Sequence, residues 1–197
     1  MEKRLFIVGI VEGDLMKKAI VLQKLFAEKY QLYHNSLPNL HITLEIVEED
    51  ENNLGKIRDA VMRASQRIQK FTVRATGFAC FPPPYKSVGL LIEKTTELTY
   101  AINTVEEYLD IYGIKSVKPF GSEFVYHLTL ANTFLADRKW SEAEFFEACA
   151  MVDRVKAPLS LSGTLSQIAI WHPVRDAKKM SQGTFDLLER ETAWSKL

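Results

Sequence analysis

Apolar positions in this chain switch repeatedly between short continuous runs and helical spacing, which is the pattern of alternating strands and helices. The run Leu5 to Val11 predicts a buried strand. Asp14 stands where a helix cap is expected, and Leu15, Ala19, Leu22, Leu25 and Phe26 recur at helical spacing as far as Tyr30. A polar loop from Gln31 to Asn39 leads into a strand over Leu40 to Val47, and the acidic turn beginning at Glu48 precedes a helix over Leu54 to Ile68. Phe71 to Phe81 is rich in β-branched and aromatic residues and predicts a strand, closed by Pro82, Pro83 and Pro84. With no Ser, Gly or charge-rich tract around it, that Pro run reads as a rigid turn inside one fold.

The second half repeats this order. Val88 to Ile92 predicts a strand, Glu97 to Tyr112 a helix ending at Gly113, and Phe124 to Phe134 another strand. In both halves the helix feeds a strand carrying His, an apolar residue, Thr and Leu: His41-Ile42-Thr43-Leu44 and His127-Leu128-Thr129-Leu130. The same tetrapeptide at the same place, close to half a chain apart, indicates a duplicated unit. Trp140 to Val152 predicts a helix opened by Ser141, Pro158 to Trp171 one or two strands broken at Gly163, and Met180 to Leu197 a polar tail.

The 197 residues are enough to bury a core without metals or disulfides. The 25 basic and 25 acidic side chains argue against a long cationic footprint on nucleic acid, leaving room for a small or terminal phosphate ligand. Cys80 and Cys149 stand far apart without C-x-x-C spacing, so they read as separate inward-pointing thiols. The N-terminal apolar run is too short to span a membrane and lacks a cleavage site, which predicts a cytoplasmic protein without membrane contact.

The two tetrapeptides carry the chemistry. Side chains alternate along a strand, so His41 and Thr43 share one face while Ile42 and Leu44 anchor the other; His127 and Thr129 do the same. Two such faces meeting across a pseudo-twofold axis would form an acid/base pair, since imidazole is present in both protonation states near neutrality. The threonine hydroxyls suit non-bridging phosphate oxygens. No metal or cofactor is called for: a site on His41 and His127 would need His34, Glu45 or His172 as a third ligand, and none has ligand-type spacing.

These motifs resemble the 2H phosphoesterase superfamily, which includes 2′-5′ RNA ligases and cyclic nucleotide phosphodiesterases. The segment Leu37 to Leu44 is similar to the family's first motif with its lead-in, and Lys118 to Asn132 to its second. The resemblance implies one α+β domain over residues 1–197, built of two pseudo-symmetric lobes, with two antiparallel sheets flanking a central cleft and helices outside. It implies His41 and His127 as catalytic residues and Thr43 and Thr129 as phosphate binders. The chain departs from many members at Tyr126, where Pro is frequent, and at Asn132, where Arg is frequent.

Glu45 is expected on the face of His41 and Thr43, set against solvent or orienting a neighbour. Phe81, Tyr85, Phe120, Tyr126 and Trp171 are candidates for stacking on a base, and Lys86, Lys115 and Lys118 for the rim of a phosphate cleft. The expected activity is metal-independent opening of a 2′,3′-cyclic phosphate, or a related 2′-5′ phosphodiester, on a nucleotide or RNA end, by a monomer. The alternative is a nucleotide- or RNA-end-binding module with little turnover.

Overall fold

The computed structural model describes residues 3–34, 36–49, 53–117, 124–154 and 160–189. Its elements run β1 (Lys3–Glu12), α1 (Asp14–Tyr30), β2 (Ile42–Glu49), α2 (Leu54–Ser65), β3 (Phe71–Phe81), β4 (Ser87–Ile92), α3 (Thr96–Ile111), β5 (His127–Ala131), α4 (Glu142–Asp153), β6 (Leu161–Trp171), α5 (Ala177–Met180) and β7 (Ser181–Asp186). The first five elements recur in order as β4, α3, β5, α4 and β6.

The fold is α+β with antiparallel strands, as expected. The two expected sheets are hydrogen-bonded to one another: β1 pairs with β2, β2 with β5, β5 with β4, β4 with β3, β3 with β6 and β6 back to β1, with β7 added beside β6. The third strand of each half has crossed over. β3 lies beside β4 of the second half, and β6 lies beside β1 of the first.

The register carries the same twofold relation to single residues. Ile42 pairs with Leu128, the equivalent position of the other tetrapeptide, and Val73 pairs with Gly163, the equivalent position of the other long strand. Gly163 is needed there because a Cβ would lie 2.4 Å from the Glu12 carbonyl oxygen. Bulges recur in matching places as well. β2 carries an extra residue at Leu44 opposite β1, and β5 carries one at Leu130 opposite β4; β6 carries one at Ser166 and β3 one at Thr76.

The main core lies between the helices and one face of the sheet. It includes Leu5, Ile7, Ile42, Leu44, Leu90, Leu128 and Leu130 from the strands and Leu15, Phe26, Ile57, Leu98 and Phe145 from the helices. Residues on the opposite sheet face form a second, smaller cluster of Val8, Ala169, Trp171 and Met180, with Phe6 and Ile10 packed on it.

Several local expectations change. Gly13 caps α1 with φ 91°, a conformation that suits glycine, so Asp14 becomes the first helical residue and acts on the helix dipole. Leu25 is exposed, because the apolar stripe of α1 turns inward through Leu15, Ala19, Phe26 and Tyr30. Part of the expected polar tail is strand: Ser181 to Asp186 pairs along β6. Cys80 and Cys149 form a disulfide with Cα atoms 5.8 Å apart, because α4 packs across β3 and β4 and brings together residues distant in sequence.

Candidate active site

His41 immediately precedes β2 and His127 opens β5. The backbone treats the two rings identically. Nδ1 of His41 lies 2.8 Å from the carbonyl oxygen of Asn39, and Nδ1 of His127 lies 2.7 Å from that of Val125, two residues upstream in each case. A carbonyl only accepts, so each Nδ1 carries the proton and donates it, leaving each Nε2 as the nitrogen that gives or takes a proton elsewhere.

Thr43 and Thr129 are half-buried beside the core residues Ile42, Leu44, Leu128 and Leu130. In the antiparallel sense of the Ile42 to Leu128 pair, His41 is level with Thr129 and Thr43 with His127. The four side chains therefore come from one small region where β2 meets β5. The bulge directly after each threonine ends the alternation there, so the phase set by His41 and Thr43 does not continue to Glu45. Glu45 is buried rather than exposed to solvent, with Oε1 accepting from the Ile46 amide at 3.1 Å. Its counterpart Ala131 is buried too.

An aromatic ring lies against each imidazole. Trp171 meets His41 edge-on, with centroids 5.0 Å apart, and Phe81 meets His127 at 4.4 Å and a tilt of 38°. Burial pushes the pKa of His41 below its usual value, and the nearby His127 charge lowers it further, while the Asn39 carbonyl opposes both. Burial likewise lowers the pKa of His127, against the pull of the Val125 carbonyl. The effect of the His127 charge on His41 shows that the two rings lie within electrostatic reach of one another.

The other candidates fall elsewhere. Tyr126 packs edge-on against Phe124 at 5.0 Å and onto the main core. Tyr85 is exposed on the turn after β3, where its carbonyl accepts from the Thr133 hydroxyl at 3.4 Å. Lys86, on the same turn, sets its Nζ 3.9 Å from Glu142 and its carbonyl on the Trp140 indole nitrogen. Phe120 and Lys118 lie outside the described residues.

Asn132 is held by Tyr33, whose hydroxyl donates to the Asn132 carbonyl and accepts from its amide, both at 3.0 Å. Arg175 acts electrostatically on Tyr33, but its guanidinium is engaged by Asp137, which also accepts from the His34 amide at 2.7 Å. Those contacts hold the Asp137 carboxyl well below the usual carboxylate range. Among the described residues, no three His, Cys, Asp or Glu side chains cluster as a metal centre would need.

A profile of the 2'-5' RNA ligase superfamily matches residues 17–177, a span that contains both His/Thr motifs. The chain belongs to that superfamily. As a member of the 2H phosphoesterases it shares their fold with solved structures of low sequence identity. TT0787 of Thermus thermophilus superposes with a TM-score of 0.60 at 17% identity, covering 95% of this chain and 100% of that one. E. coli LigT complexed with 3'-AMP gives 0.59 at 15% identity, covering 95% and 99%. A structure described as a phosphoesterase gives 0.57 at 14%, with the same coverage as LigT. No curated protein sequence matches the chain significantly. Among the described residues, no helix of this superfamily member is long and apolar enough to cross a membrane.

Proposed function

We propose that this 2H phosphoesterase hydrolyses a 2′,3′-cyclic phosphate, or a related 2′-5′ phosphodiester, on a nucleotide or RNA end, without a metal or cofactor. The observation that carries the reading is the matched pair of imidazoles, each with Nδ1 tied to its own backbone and each Nε2 left for chemistry. One neutral ring takes a proton from water as the water oxygen bonds to phosphorus. The other, protonated, ring gives its proton to the departing ribose oxygen as the P–O bond breaks. Thr43 and Thr129 donate to the non-bridging oxygens as charge builds on them. Binding of 3'-AMP and ATP by LigT supports a small nucleotide or RNA terminus as the ligand class.

The exchange of β3 and β6 supports a single unit of two pseudo-symmetric lobes with the site between them, a unit that we propose acts as a monomer. A cytoplasmic setting accords with the absence of a membrane-crossing helix among the described residues. In a reducing cytosol, however, Cys80 and Cys149 would persist as thiols.

The test is incubation with 2′,3′-cyclic nucleotides and with RNA ending in a cyclic phosphate, in the presence of EDTA, followed by phosphorus NMR. Turnover is expected, and His41→Ala and His127→Ala are each expected to lower it by about 10²- to 10⁴-fold. Tight nucleotide binding without turnover would instead identify a binding module. The presence of Asn132 where Arg is frequent is the feature that favours that second reading.

A further inference from the structure

We propose that Phe81 and Trp171 are positioning residues, each fixing the ring plane of the histidine that belongs to the other half of the chain. This rests on the two-histidine reading of the site and adds the parts that aim the two Nε2 atoms.

The bond to Cβ and the Nδ1–H···O hydrogen bond hold an imidazole along one edge and leave the Nε2 side to rock about it. A flat neighbour removes that freedom. Here each histidine has one hydrogen bond to its own backbone and an aromatic ring packed close on it, Trp171 for His41 and Phe81 for His127, with Phe124 farther from His127 at 6.4 Å. Phe81 is the last residue of β3 and Trp171 the last of β6, so the two rings occupy matching places in the repeat. Both strands bulge at matching residues, Thr76 and Ser166, halfway to those ends, and a bulge re-aims the side chains beyond it.

Both rings are themselves held. Trp171 is paired with Phe6 and Ser181 and is buried in the small cluster with Val8, Ala169 and Met180. Phe81 is paired with Ser87 on β4, and α4 packs across the strand that ends in it. The crossover of β3 and β6 puts each ring in the opposite half from its histidine. Neither half alone contains a histidine with its wall.

Each ring packs on its imidazole, and burial is the first cause of the lowered pKa of both. Among the described residues, the charge that acts on His41 is that of His127. Burial and the Val125 carbonyl are what act on His127.

The experiment is NMR titration of the histidine ring resonances in the free protein, comparing wild type with Phe81→Leu and Trp171→Leu. Phe81→Leu is expected to remove most of the ring-current shift on the carbon-bound protons of His127, the more distant Phe124 ring remaining, and to move its titration toward the ordinary value. His41 keeps its ring-current shift, and its titration moves less, only through the His127 charge. Trp171→Leu is expected to do the converse, with Trp171→Phe restoring most of the His41 signature. In turnover, each Leu variant should lose up to about 10²-fold in kcat with little change in KM.

Equal movement of both histidines in either variant would show general loosening and overturn the proposal, as would no movement in either. If Trp171→Leu fails to fold, the half-buried Phe81 at its strand end decides the matter alone. Because the titration needs no substrate, it stands or falls independently of whether the protein hydrolyses a phosphodiester.

Discussion

Ile42 of β2 lies opposite Leu128 of β5, and both are fully buried. Each is flanked by the histidine and threonine of its motif, so this apolar pair sets the spacing of the whole candidate site. Leu128→Ala is expected to cost about 2–5 kcal/mol of stability, the usual range for a buried leucine that leaves a cavity. A lower denaturant midpoint with an unchanged slope would record it. Activity should fall in the remaining folded fraction, because both motifs hang on this contact.

The direction of the histidine shifts sets the pH dependence. The base must be neutral and the acid charged, so kcat/KM should be bell-shaped. Burial lowers both pKa values, so the maximum should fall below about pH 6.5, and activity should decline toward neutrality as the acid loses its proton. Stability shows the same effect with a definite sign. Below about pH 6.5 the unfolded chain binds protons that the folded rings resist, so stability should be lost as pH falls through the window between the unfolded and folded values. A flat rate profile between pH 5 and 8 would count against the pair.

Thr43→Val and Thr129→Val keep shape and remove a hydroxyl. Loss of a hydrogen bond to a charged oxygen costs about 1.5–3 kcal/mol, which is roughly 10- to 150-fold in kcat/KM. The two losses should be of similar size, and thermal stability should change little. A variant with wild-type kcat/KM would remove that threonine from the phosphate site.

The disulfide closes a sequence separation of 69 residues between β3 and α4. Reduction, or Cys149→Ser, should lower stability by about 2–4 kcal/mol, largely through release of the unfolded chain. Denaturant unfolding with and without reductant measures it directly. Thiol titration that finds two free cysteines in the native, unreduced protein would contradict the pairing.

Much of this was legible in the sequence because it depends on local pattern. The strand Phe71 to Phe81 and the alternation that buries Ile42 and Leu44 beside His41 and Thr43 arise from side-chain period alone. The α+β class arises from the order of apolar runs. The features that stayed hidden depend on pairing between distant strands. The bulges at Leu44 and Leu130 need a partner strand to be counted against, so Glu45 read as continuing a face that in fact ends at Thr43. The disulfide needs α4 to lie on β3, and the histidine walls need the crossover of β3 and β6. Trp171 and Phe81 were visible as candidate rings, but nothing in their neighbours said that each faces an imidazole.

The crossover of the third strands bears on how such a chain could have begun. An ancestor of half this length, with one His/Thr strand and one aromatic strand end, would have had no complete site as a single copy. Two copies exchanging their last strands across a dyad would have made two identical histidine and ring pairs facing each other. Joining the copies into one chain then frees the halves to differ, and they have done so: one wall is Trp and the other Phe, and the residue after the bulge is Glu45 in one half and Ala131 in the other. A symmetric dimer can share one proton between two equivalent imidazoles, but only a fused chain can fix which of them is the base and which the acid.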